Sequence, residues 1–176
     1  MVYEFLAEGF EEIEALAPVD ILRRAGVEIK TVSITGKKEV TGSHGITVTA
    51  DILFDEISDK AEMLILPGGM PGTLNLQAFA PLCDMLKSAD CYIAAICAAP
   101  SVFGALGLLK GKKAICYPGF EDKLEGAEIV QAPVVISDKV ITSKGAGTAH
   151  LFGFALLSLL KNDEEAEKLR KSMMYE

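Results

Sequence analysis

The chain has 176 residues, of which 50% are hydrophobic and 24% are charged, so a single domain over residues 1–176 can bury a sizeable core. Its 25 acidic and 17 basic residues give a formal net charge of -8, which argues against nucleic-acid and anionic-membrane surfaces. No apolar stretch has the length of a membrane span and the start lacks a signal-peptide pattern, so we expect no membrane insertion and a cytoplasmic location.

The first third of the chain alternates between strand and helix patterns. "VYEFLA" predicts a buried strand, and the apolar spacing in "EEIEALAPVDILRRAG" predicts a helix that ends at Gly26. "VEIKTVSI" predicts a second strand, and "EVTGSHGITVTAD" predicts a β-ribbon around Gly42 and Gly45.

The rest of the chain continues this alternation. "MLILPGG" and "CYIAAI" predict buried strands, each followed by a helical segment, and "PVVISD" with "KVITS" predicts a hairpin before the apolar helix in "GTAHLFGFALLSLLKN". Continuous apolar strands are typical of a sheet covered on both faces. The pattern therefore predicts an α/β sandwich with a mostly parallel, doubly wound sheet.

Cys97 lies where the strand "CYIAAI" ends and a helix begins. In open α/β sheets, sites form beyond the carboxyl ends of the strands. The unpaired N–H groups and the dipole at a helix start favour the thiolate, so this position predicts a reactive cysteine. The alternative is that Cys97 is a small core residue without chemistry.

Two other loops at the same edge of the sheet complete the predicted site. Gly68 and Gly69 allow close backbone approach, and the amides of Gly69 and Ala98 are predicted to form an oxyanion hole. Glu14 interrupts the apolar side of the first helix, so we expect it to be buried with a raised pKa and to hold a proton beside Cys97. Glu11 and Glu12 need no role beyond stabilising the helix start.

Metal and redox motifs are missing from the sequence. The four cysteines contain no C-x-x-C spacing, and the two histidines form no H-E-x-x-H motif. We therefore predict no metal site and no bound cofactor.

Four segments together resemble the DJ-1/ThiJ/PfpI superfamily, and in particular its DJ-1-like branch. They are "EGFEEIEALAPVDILRRAG", "LILPGG", "AAICAAP" and "ITSKGAGTA", in this order. The resemblance implies a flavodoxin-like three-layer α/β/α sandwich, a homodimer, a Cys97 nucleophile, a paired Glu14, and stabilising amides at Gly69 and Ala98. Members of the family include glutathione-independent glyoxalases, protein or nucleotide deglycases, oxidation sensors and chaperones.

The family pattern bears on the expected chemistry at three positions. Ala98 stands where the protease branch has a histidine, so protease activity is not expected. Tyr117 stands where several DJ-1-like members have a histidine, which removes one proton shuttle, because a phenol is a poor base at neutral pH. His44 occupies a place from which relatives send a polar side chain into the partner's site, although a solvated histidine of the ribbon would also fit.

The residues leave three functions open. In the first, Cys97 attacks small reactive carbonyl compounds or glycated adducts, and Glu14 moves the proton. In the second, Cys97 is oxidised to a sulfenic or sulfinic acid that changes partner binding or chaperone behaviour in oxidative stress. In the third, the domain is inert and Cys97 has an ordinary thiol.

Overall fold

The computed structural model describes residues 1–175, which contain eleven strands and six α-helices. The strands are β1 (Val2–Leu6), β2 (Ile29–Ser33), β3 (Glu39–Thr41), β4 (Thr47–Thr49), β5 (Ile52–Leu53), β6 (Met63–Leu66), β7 (Tyr92–Ile96), β8 (Lys113–Ala114), β9 (Glu128–Ile129), β10 (Val134–Ser137) and β11 (Val140–Ser143). The helices are α1 (Glu12–Arg24), α2 (Gly72–Ala78), α3 (Ala80–Lys87), α4 (Pro100–Ala105), α5 (Ala149–Leu160) and α6 (Asp163–Ser172).

Seven strands form the central sheet in the order β10-β11-β7-β6-β1-β2-β5. Every neighbouring pair is parallel except the edge pair β10–β11, which is an antiparallel hairpin. The carboxyl ends of β1, β6, β7 and β11 therefore lie at one edge of the sheet. The predicted mostly parallel sheet is confirmed.

Helices cover both faces of this sheet, as the continuous apolar strands predicted. On one face, side chains from α2, α3 and α4 join Tyr3 and Phe5 of β1 in the larger core. On the other face, α1, α5 and α6 pack on Val2 of β1 and on neighbouring strands. The three-layer α/β/α sandwich is confirmed, and in the described residues no helix is long and apolar enough to cross a membrane.

The predicted β-ribbon is also present, outside the central sheet. Strands β3 and β4 pair antiparallel, with Val40 opposite Val48. The turn between them carries Gly42 and His44. Its amide at Ser43 donates to the carbonyl of Phe10, and the carbonyl of Thr41 accepts from Gly9, so the ribbon rests on the loop between β1 and α1.

Glu4 breaks the apolar sequence of β1 in the middle of the sheet. Its side chain is fully buried, and neither carboxyl oxygen has a hydrogen-bond donor among residues 1–175. It alternates with Tyr3 and Phe5, so it points to the face covered by α1 and α5. Burial raises its pKa well above the usual value, against the opposing charge of Arg23, so Glu4 is held as the neutral acid.

We predict that Glu4→Val stabilises the fold by about 1–3 kcal/mol at pH 8, because valine has nearly the same volume and removes an unsatisfied buried carboxyl. Below the pKa of an unfolded glutamate, the carboxyl is neutral in both states. As pH rises above it, only the unfolded chain ionises, so the advantage of valine should grow between pH 4 and pH 8. Urea unfolding at both pH values measures this difference.

Glu39→Val is the matched control, because Glu39 lies exposed on strand β3. It should change the unfolding free energy by less than about 0.5 kcal/mol and show little pH dependence. Wild type as stable as Glu4→Val at pH 8 would contradict the assignment of Glu4 as a destabilising buried acid.

Candidate active site

Cys97 occupies a sharp turn between β7 and α4. Its φ of 66° lies in the left-handed region, which a residue with a side chain rarely adopts. The turn is held from both sides, since the Cys97 amide donates to the carbonyl of Ser143 at 3.0 Å and the Cys97 carbonyl accepts from the amide of Tyr117 at 2.8 Å. The sulfur-bearing residue is only partly buried, and the predicted strand–cysteine–helix turn is therefore present.

Glu14 lies beside Cys97, since its Oε2 and Cβ of Cys97 both border the same point at Gly68, and each side chain shifts the pKa of the other. The residue is 1% exposed. One oxygen, Oε2, accepts from the amide of Gly68 at 3.0 Å, and the carboxyl also accepts from the amide of Ala146. Three loops at the carboxyl edge of the sheet thus hold the carboxyl against the sulfur.

The amides of Gly69 and Ala98 lie near the sulfur of Cys97, where they act to lower the pKa of the thiol. Gly69 has a φ of 92° and is pressed against Gly9 and Phe10, where a side chain would overlap the backbone. Its conformation therefore requires glycine. The two amides lie on the same side of the pair, where they favour negative charge on the sulfur. Their role as an oxyanion hole stays a prediction.

The two acidic groups of the site have coupled proton affinities. Burial, with a contribution from the charge of Glu11, raises the pKa of Glu14 to about 7, so the predicted rise is confirmed. Burial and the neighbouring Glu14 carboxylate raise the pKa of the Cys97 thiol to about 12. The predicted fall in the thiol pKa is therefore wrong in direction, because the amides of Ala98 and Gly69 act as expected but are outweighed.

Because the pKa of the thiol is raised, the reactive group is the pair of Cys97 and Glu14 and not Cys97 alone. The thiolate of Cys97 is destabilised by the Glu14 side chain only while Glu14 is also ionised, because two negative charges in contact repel each other. Once Glu14 takes the proton, the sulfur faces a hydrogen-bond donor and two amides. A pair that shares one proton can therefore supply a thiolate, and the pair titrates as a unit.

Tyr117 lies at the edge of the pair. Its ring packs on Gly145, where an added Cβ would be 3.3 Å from Cδ2 of Tyr117 and 3.9 Å from Oε1 of Glu14. The residue is 51% exposed. Tyr117 thus forms a half-exposed wall next to the carboxyl group.

Within residues 1–175, His44 makes no hydrogen bond to Cys97 and contacts the start of α1 instead. Its Nδ1 is 2.7 Å from Oε2 of Glu12 and 3.8 Å from Oε1 of Glu11. These three residues are the one group in residues 1–175 whose possible metal-ligand atoms lie within 4.8 Å of one another. Both oxygens of Glu12 already accept hydrogen bonds from residues 43–46, so we assign no metal there.

Sequence reasoning missed two contributors. Glu12 was expected only to stabilise the helix start, yet it is buried and binds the turn of the ribbon. Ala146 lies in the segment "ITSKGAGTA" and was assigned no role, yet its amide acts to lower the pKa of Glu14. The signal for Ala146 was a glycine-rich segment that follows β11 at the same edge as Cys97; Glu12 had no local signal.

The comparisons with known proteins point to one family. The sequence profile of the DJ-1/PfpI family matches residues 1–159. Protein DJ-1 homolog B of Arabidopsis thaliana is 41% identical over 167 residues, which are 92% of this chain but 38% of the plant protein, so the chain spans less than half of that relative.

Two further relatives have functional names. A glutathione-independent glyoxalase of Caenorhabditis elegans is 31% identical over 94% of this chain and 91% of its own length. A deglycase of Pyrococcus abyssi is 31% identical over 88% of this chain and 96% of its own length. Among solved structures, oxidized DJ-1 of Toxoplasma gondii superposes with a TM-score of 0.94 at 37% identity, covering 99% of this chain and 97% of that one.

We predict that Gly68→Ala separates the pair, because a Cβ at this position would overlap Oε2 of Glu14 and lie 2.6 Å from Cβ of Cys97. The clash should lower the free energy of unfolding by about 1–3 kcal/mol and change the alkylation rate of Cys97 at least tenfold. Gly147→Ala is the control, since nothing lies within 4 Å of its added Cβ. Equal behaviour of the two variants, in thermal unfolding and iodoacetamide labelling, would contradict the described packing.

Proposed function

Because the chain belongs to the DJ-1/PfpI family, we propose that it is a cysteine-dependent enzyme acting on small reactive carbonyl compounds or glycated adducts, without a bound cofactor. The observation that carries the proposal is the contact between the side chain of Cys97 and the buried carboxyl group of Glu14, with the amides of Gly69 and Ala98 near the sulfur. The glyoxalase and deglycase names of two relatives support the substrate class.

The first step is a proton transfer within the pair. The thiol proton of Cys97 moves to the Glu14 carboxylate, which leaves a thiolate and a neutral acid. The thiolate attacks the aldehyde carbon of a 2-oxoaldehyde, and the carbonyl electron pair moves to oxygen. The amides of Gly69 and Ala98 are placed to stabilise the resulting alkoxide.

The remaining steps return the enzyme to its starting state. Glu14 protonates the alkoxide, and its carboxylate then carries the hydrogen on that carbon, as a proton, to the neighbouring carbon. The adduct becomes a thioester, which water hydrolyses to a hydroxy acid and the free Cys97 thiol. One carbonyl compound and one water give one hydroxy acid, so no oxidant or reductant is consumed.

Tyr117 and Gly68 have supporting roles in this proposal. Gly68 holds Glu14 through its amide, and its missing side chain leaves room for the pair. The exposed ring of Tyr117 beside Gly145 supplies an aromatic surface and a hydroxyl donor to a bound substrate. Protease activity is not proposed, because Ala98 provides no imidazole next to Cys97.

We predict that wild-type protein converts methylglyoxal to lactate, and that Cys97→Ser and Glu14→Gln lower the rate at least a hundredfold. The rate should rise with pH through about 7. Below this pH both groups are protonated, and above it the pair shares a single proton and can form the thiolate. Enantiomer-resolved lactate assays between pH 5.5 and 8.5 measure rate and profile together.

Wild-type turnover no faster than that of Cys97→Ser would refute the carbonyl proposal. The second candidate, an oxidation sensor, is favoured by the same contact, because a protonated Glu14 can donate to oxygen atoms added to sulfur. Selective addition of two oxygens to Cys97 by mild peroxide, with no lactate formed, would decide for the sensor. Oxidation spread evenly over the four cysteines would exclude it.

We also propose a homodimer through an exposed apolar surface next to the site. Ile13 and Leu16 lie exposed one turn apart on α1, and Ile46 is exposed on the β3–β4 turn. The Ile46 amide lies 3.4 Å from Oε1 of Glu12, so turn and helix form one continuous surface. A second copy would bury these side chains by isologous contact, in keeping with the family resemblance.

We predict that Leu16→Glu shifts the protein to monomer in sedimentation velocity, because two buried carboxylates would face each other across the symmetric contact. Ile136→Glu is the control, since Ile136 is also exposed but lies on the edge strand β10. A monomeric wild type, or dimers that resist Leu16→Glu, would rule out this surface.

A further inference from the structure

The turn of the β-ribbon is built around the carboxylate of Glu12. This side chain is 4% exposed, and backbone and side-chain groups of residues 43–46 donate hydrogen bonds to its carboxylate. Oε1 accepts from the amide of His44 at 2.8 Å, and Oε2 lies 2.7 Å from Nδ1 of His44. Gly42 is required beside it, because an added Cβ would overlap Oε1.

The Glu12 contact fixes the imidazole of His44 between two carboxylates. Nδ1 is within 2.7 Å of Glu12 and 3.8 Å of Glu11, while the side chain stays 66% exposed and can exchange protons with water. In residues 1–175, these two glutamates are the charged groups within ion-pair distance of the ring. The hydrogen bond to Glu12, and then the charges of Glu12 and Glu11, raise the pKa of His44.

Glu11 connects this cluster to the active pair. Its Oε2 accepts from the amide of Glu14 at 2.7 Å, and its Oε1 faces His44. The negative charge of Glu11 is one of the causes that raise the pKa of Glu14. A positive imidazolium beside Glu11 opposes that charge, so the proton affinity of Glu14 depends on the state of His44.

We propose that Glu12 is a positioning residue that holds His44 beside Glu11, so that protonation of His44 regulates the Cys97–Glu14 pair. This inference rests on the proposed function only in using the reactivity of that pair. The protonated imidazole makes Glu14 release its proton at lower pH. The singly protonated, reactive pair therefore persists to lower pH than it would without His44.

The experiment is the pH profile of Cys97 alkylation by iodoacetamide between pH 5.5 and 9, quantified by peptide mass spectrometry. Removing the imidazolium in His44→Gln should move the midpoint upward by about half a pH unit at low salt. The shift should shrink in 1 M NaCl, where the screening length is about 3 Å. His150→Gln is the matched control, because His150 lies on α5 and stacks on Tyr175 at 5.4 Å.

A second measurement tests Glu12 directly. Proton NMR resolves the two histidines, and His44 should titrate at lower pH in Glu12→Gln than in wild type. Glu12→Gln should also reproduce the alkylation shift of His44→Gln. If Glu12→Gln does not fold, the exposed His44→Gln still tests the coupling.

The outcomes separate the two proposals. The alkylation rate of Cys97 in wild type should rise with a midpoint near pH 7. If His44→Gln leaves this midpoint in place, or moves it no more than His150→Gln does, this inference is overturned and the proposed function stands. No step at all in wild type, with Cys97 alkylated as slowly as Cys116, contradicts the reactive pair itself. An unchanged His44 titration in a folded Glu12→Gln variant overturns the positioning role.

Discussion

The site depends on one contact, between the side chain of Cys97 and the carboxyl group of Glu14, each of which shifts the pKa of the other. Four segments that are far apart in the chain meet around it: the start of α1 and the loops after β6, β7 and β11. They meet because parallel strands present their carboxyl ends at one edge of the sheet. The antiparallel edge strand β10 lies outside this arrangement and contributes no group to the pair.

The electrostatics of this contact explain why neither residue can be understood alone. Low exposure penalises charge on both groups, so the pair resists holding two negative charges. The amides of Gly69 and Ala98 stabilise one negative charge on sulfur, and those of Gly68 and Ala146 stabilise one on the carboxyl. The result is a shared proton at neutral pH, which suits nucleophilic attack and also suits a donor to an oxidised sulfur.

Two other glutamates show how position decides what a buried carboxyl does. Glu12 is buried with several donors from the ribbon turn, and its pKa falls. Glu4 is buried without any donor in the middle of β1, and its pKa rises. Glu14 lies between these cases, with two amides and a sulfur. Three residues of one type, within eleven positions, are thus an ionic anchor, a neutral core acid and a buried carboxyl beside a thiol.

The sequence by itself determined the sheet class, because continuous apolar strands alternating with amphipathic helices can be buried only in a covered parallel sheet. It also located Cys97 and Glu14, since a cysteine at a strand end and a carboxylate in the apolar phase of a helix are local patterns. Only the tertiary structure decided the donors of Glu12, the isolation of Glu4 and the raised pKa of the Cys97 thiol. Proton affinity depends on distances between groups that the chain brings together from remote positions, and spacing along the sequence does not contain those distances.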